Sequence, residues 1–125
     1  MTFEAWTLSA RLAWTRPWIR MVSIVIVLVT LSMCTYFLMR VLPASQKLGS
    51  VILHYNLYRG IDEVRTWPWA FLLPIAWISV TFADLAIALG VYRADAHVSW
   101  SLLALAVLWS VPWCVALFYL TLINL

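Results

Sequence analysis

Between Ser50 and Trp67 the chain reads SVILHYNLYRGIDEVRTW, which gathers one His, one Asn, two Arg, one Asp and one Glu inside an otherwise apolar sequence. An imidazole, a carboxamide and carboxylates this close together suit cation ligation, proton transfer or a hydrogen-bonded staple. Cation sites draw on spaced His or Cys ligands, three or four at a time, and this stretch has neither, so no metal is expected. Gly60 gives the backbone a freedom that residues with a Cβ lack, which lets Asp62 turn back toward His54 or cap the next helix. His54, Tyr55, Asn56, Gly60 and Asp62 are therefore read as an internal staple or a docking surface.

Two further residues carry chemistry. Asp84 lies in an apolar run, about 12 Å from Tyr92 at 1.5 Å of rise per residue, where an ionised carboxylate costs about 2.5–3.5 kcal/mol. It requires a partner or a proton. One reading makes it a proton relay or ion ligand; the other, which is expected here, makes it a neutral or hydrogen-bonded contact to Ser110, Ser23 or another subunit. His97, in the turn YRADAHVSW, comes after Asp95, a helix-cap residue type. An interfacial His can ligate haem or a chlorophyll-type pigment, so His97 and His54 are the candidate ligands if a cofactor binds; none is expected. The two histidines are predicted on opposite sides of the membrane, which excludes a bis-His haem within one chain. No phosphate loop, nucleophile elbow or Ser/His/Asp set sharing a depth is present, so the chain is not read as an enzyme.

The elements that position these residues emerge from composition. Of 125 residues 66% are hydrophobic and 10% charged, which points to a bilayer as solvent. Met21 to Met39 is free of charge and covers about 28 Å as a helix. The expected architecture is one all-α integral membrane domain, residues 1–125. An amphipathic interfacial helix at about 3–15, with Phe3, Trp6, Ala10, Ala13 and Trp14 on one stripe, precedes spans at about 18–41, 67–92 and 98–123. Residues 43–66 form a loop, either half-buried and extended or a helix with Leu48, Val51, Ile52 and Tyr55 on one face. Thr66 is a candidate cap for the second span, and Pro74 and Pro112 should bend the second and third. The first span is longer than a signal-peptide core and has no small-residue cleavage site, so it is read as retained.

Small residues supply close packing between helices where lipid is as apolar as leucine. Ala106, Ser110 and Cys114 on the third span, and Ser79 with Ala83 and Ala86 with Gly90 on the second, are predicted to face protein, either each other or a partner. Cys34 and Cys114 are placed at different depths, as packing residues without a disulfide. Arg11, Arg16, Arg20 and Arg93 fall on one side and Arg40, Lys47, Arg59 and Arg65 on the other. The cluster before the first span favours a cytoplasmic N-terminus in a bacterial inner membrane, with residues 43–66 extracytoplasmic. The net charge of +3 flanks the spans and implies lipid headgroups rather than nucleic acid.

Leu42-Pro43, Leu53 to Asn56 and Gly60 to Asp62 together resemble the extracytoplasmic loop of the bacterial sporulation-delay immunity protein family. They are also similar to small bacterial membrane proteins with a His-Tyr-Asn-x-Tyr-x-Gly-Ile-Asp loop. Ile52 departs from the family's Pro at that place. The resemblance implies a bacterial membrane protein with this loop outside. The function expected is a non-enzymatic accessory or structural subunit of a larger membrane complex, such as an energy-converting one, with the bilayer and other membrane subunits as partners. The alternatives are an extracytoplasmic sensor or immunity-type protein, a pigment- or haem-binding subunit, and a homo-oligomeric proton pathway through Asp84.

Overall fold

The structure is a computed structural model describing residues 2–56 and 60–125, with residues 55, 56 and 60–62 described in their backbone alone. In chain order the elements are α1 (Phe3–Trp14), α2 (Pro17–Leu48), β1 (Ser50–Asn56), β2 (Gly60–Thr66), a 3-10 turn (Trp67–Phe71), α3 (Leu72–Val91) and α4 (Ala96–Ile123). Three helical segments, Pro17–Leu48, Trp67–Val91 and Ala96–Ile123, are long and apolar enough to cross a membrane.

Pro17 starts α2 at a position that needs no backbone donor, and Gly49, at φ 71°, ends it in the left-handed conformation that glycine adopts without strain. The helix continues seven residues past the expected end of the span and contains Pro43. Pro43 cannot donate to the Met39 carbonyl, yet Val41 and Ser45 on either side are buried, and the Ser45 hydroxyl donates to Leu42 O at 3.0 Å. Packing here outweighs the missing helix bond. The buried face of α2 runs Ile19, Ser23, Ile26, Thr30, Cys34, Phe37, Val41 and Ser45, at intervals of three and four residues.

The loop after α2 is extended, and the helical alternative is not what forms. Strands β1 and β2 pair antiparallel, with Ser50 opposite Thr66 and Asn56 opposite Gly60. The register slips by one residue at Leu53 and slips back at Asp62, so each strand carries one extra residue. Val51 is buried and Leu53 packs on the core, while His54 faces out, as strand alternation requires. An antiparallel hairpin is thus added to the expected all-helical architecture.

Thr66 stands at the cap position of the 3-10 turn, but its side chain makes no cap hydrogen bond. Pro74 falls in the first turn of α3 rather than deep inside it, where a missing N–H costs little, and the tighter 3-10 winding just before it takes up the change. Pro112 is interior to α4, as expected. One core gathers near the hairpin, around Phe37, Val41, Trp77 and Leu117, and a second near α1, around Ala13, Ile19, Leu85 and Leu103. Between them the buried hydroxyls of Thr30 and Thr81 lie 3.5 Å apart, joining α2 to α3.

Each end of the chain is tied by one buried polar side chain. At the end of α3 the Arg93 N–H no longer reaches Leu89 O; the Ser9 hydroxyl accepts from Arg93 N at 2.9 Å and donates to Leu89 O at 3.0 Å, inserting itself into the broken helix bond. Trp6 Nε1 donates to Ala86 O at 3.0 Å one turn earlier, and Arg16 Nε donates to the Tyr92 hydroxyl at 3.1 Å. At the other end Asn124, 9% exposed, accepts from Ile52 N at 2.8 Å and donates to Ile52 O at 2.9 Å and Leu120 O at 2.8 Å. Its carboxamide pairs with β1 as a neighbouring strand would. Ser9→Ala is expected to lower resistance to unfolding by about 1–3 kcal/mol, because it strands one buried donor and one acceptor. Reversible unfolding in mixed micelles checks this; an unchanged midpoint would mean that water replaces the hydroxyl.

Candidate functional site

On α3, Val80, Thr81 and Asp84 lie on adjacent turns, and on α4 Leu105, Ala106 and Trp109 face them. Together they line a cavity of about 290 Å³. Asp84 is half-buried there, in walls that are otherwise almost wholly apolar. Its expected partners do not reach it: the Ser110 hydroxyl donates to Val107 O at 2.6 Å, and Ser23, whose hydroxyl makes no hydrogen bond among the described residues, lines a different cavity beside Leu85 and Ala86. The hydroxyl of Thr81 in the same wall is turned to Thr30. Among the described residues Asp84 has no hydrogen bond or ion pair. A protonated carboxyl here offers one O–H donor and acceptor capacity, and an ionised one calls for a cation or several donors.

The small residues predicted to pack divide into two sets. Gly90 is buried, Ser110 is half-buried, Ala106 packs half-buried on the core near α1 and Cys114 packs on the core near the hairpin, whereas Ala86 is exposed although its carbonyl receives Trp6. Ser79 and Ala83 are exposed, facing away from the rest of the described chain. Cys34 and Cys114 share one hydrophobic cluster, which corrects the expectation of different depths: α2 and α4 run parallel, and each cysteine lies about the same distance along its helix. Both are free thiols, and Cys34 Sγ lies 3.9 Å from Pro74 O.

In the hairpin His54 is exposed and stands opposite Glu63. Glu63 Oε1 accepts from Arg65 Nε at 2.8 Å, and the Arg65 guanidinium lies 5.4 Å from the centre of the Trp69 ring. An ion pair this exposed contributes little stability. The side chains of Tyr55, Asn56, Gly60 and Asp62, the other members of the expected staple, lie outside the described residues. His97 is exposed at the start of α4, where the Asp95 carboxylate caps the helix by accepting from His97 N at 2.8 Å and Val98 N at 3.2 Å. His97 therefore stands at the α1 end and His54 at the Asn124 end. Among the described residues no three His, Cys, Asp or Glu side chains gather as a metal set would.

Sequence reasoning misses the stacked pair Trp77–Trp113, with ring centres 5.9 Å apart and planes 6° from parallel, which joins α3 to α4. It also passes over the Ser23, Thr30 and Ser45 face of α2, whose three- and four-residue spacing is present in the sequence. Comparison with protein-family models, with curated proteins and with solved structures finds no match.

Replacing Asp84 by Leu removes about 2.5–3.5 kcal/mol of insertion cost. The isolated Asp84→Leu chain is therefore expected to resist unfolding in SDS better than the wild type. Equal resistance would show that the carboxyl is already satisfied within the chain.

Proposed function

We propose that this chain is a non-enzymatic accessory subunit of a larger bacterial membrane assembly, docking a partner helix along the face between α3 and α4. The observation that supports this is Asp84, a carboxyl in apolar walls with no partner among the described residues. Such a group is stabilised by a donor from a neighbouring helix. α3 also carries the exposed Ser79 and Ala83, and α4 is the least buried of the three spans. Small residues and a sparsely covered helix suit close approach by another helix.

In this reading α1 lies on the cytoplasmic face, with Trp18 and Arg20 at the headgroup level, and the hairpin faces the outside of the inner membrane. The resemblance of Leu53 to Asp62 to an extracytoplasmic loop agrees with that direction. An energy-converting complex is one host of the expected kind.

A photo-cross-linking residue at Val80, in the Asp84 cavity, is expected to capture one membrane protein in native membranes. The same residue at the lipid-facing position Leu31 is expected to capture none. Adding Asp84→Leu should lower the yield at Val80 about tenfold, the effect of losing a buried interhelical hydrogen bond of about 1–2 kcal/mol. Capture that is equal at both positions, or indifferent to Asp84, would defeat the reading.

A further inference from the structure

We propose that a phospholipid with an anionic headgroup is held at the corner between α1 and α2, its phosphate on Arg11 and Arg20 and an acyl chain in the groove beneath Trp6 and Trp14. Two adjoining cavities make the site. One, of about 450 Å³, is lined by Arg11, Arg20, Trp14 and Leu89. The other, of about 420 Å³, shares Trp14 and Leu89 with it and continues past Trp6 and Ser23 to Leu28. Along α2 the distance from Arg20 to Leu28 is about 12 Å, so the combined cleft is charged at one end and apolar over a length that suits a lipid tail.

The charge at the open end is uncommitted. Arg16 is held by the Tyr92 hydroxyl, whereas the side chains of Arg11 and Arg20 make no hydrogen bond or ion pair with another described residue. Neither cavity has a carboxylate in its lining. Two guanidiniums on either side of one opening offer paired donors to phosphate oxygens. Below them Ser23, 3% exposed, has a hydroxyl with no hydrogen-bond partner among the described residues. It stands about one helical turn beneath Arg20 beside the groove, the level at which a glycerophospholipid bound by its phosphate presents its ester carbonyl. The two indoles, one anchored through Trp6 Nε1 to Ala86 O, cover the groove where tail meets headgroup.

The site lies away from Asp84 and does not depend on the docking face. Native mass spectrometry of the detergent-purified chain, titrated with phosphatidylglycerol and phosphatidylcholine of identical tails, tests it. The wild type and Asp84→Leu are expected to retain phosphatidylglycerol on the order of tenfold more than phosphatidylcholine, from two basic side chains each favouring anionic lipid. Arg11→Ala with Arg20→Ala should retain the two lipids equally, while Arg11→Lys with Arg20→Lys keeps a preference and controls for folding. Ala86→Leu, which narrows the groove, should lower retention of both lipids. Equal retention by the wild type, or a preference that survives the double Ala change, would overturn the proposal. Displacement by glycerol 3-phosphate would also overturn it, since that result assigns the site to free phosphate.

Discussion

Backbone N–H and C=O groups in a medium without water must find partners within the protein, and the architecture is arranged around the places where the helices cannot supply them. Within α2, α3 and α4 the requirement is met by helix bonds except where Pro43 and Pro112 lack an N–H. It becomes acute where α3 stops and where α4 ends against the hairpin. The Ser9 hydroxyl bridges Leu89 O and Arg93 N at the first, and the Asn124 carboxamide takes both backbone groups of Ile52 at the second. Each tie also fixes an element that would otherwise be loose: α1 is drawn onto α3, and β1 is drawn onto α4. The interior between them is filled by side chains of three helices, with one interhelical hydroxyl contact among the described residues, Thr30 to Thr81.

Much of this is legible in the sequence because it rests on local rules. Long apolar runs mark three spans, Asp95 marks a helix start and Pro17 a bend. What escapes depends on partners far along the chain. Ser9 reads as one more residue of an amphipathic helix until Leu89 and Arg93, some 80 positions on, come into contact with it. Asn124 reads as a polar residue near the last helix end until the hairpin turns toward it. The run beyond Pro43 reads as loop because a proline weakens a helix locally, whereas burial of Val41 and Ser45 carries the helix onward. The alternation of Val51, Leu53 and His54 does indicate an extended segment, but its pairing with Gly60–Thr66 and the paired register slips are properties of two strands together.

The same distinction governs the candidate site. That Asp84 lies in an apolar span is a property of the sequence alone; that Ser110 and Ser23 turn elsewhere is a property of the fold. Ser110 serves its own helix and Ser23 lines the cleft beside α1, so the unmet need of Asp84 is directed outward between α3 and α4 while that cleft opens on another side. One face would thus serve protein contact and the other lipid, with the two ties at the chain ends holding both in place.

The central claim is that this chain works as part of a larger membrane assembly. Extraction of the tagged protein from its own membranes in lipid–polymer particles, followed by mass measurement of the intact particle contents, tests it most directly. The account predicts a defined complex with at least one further membrane subunit at constant stoichiometry, dissociating when Asp84 is replaced by Leu. Recovery of the chain alone, with only lipid around it, would contradict it.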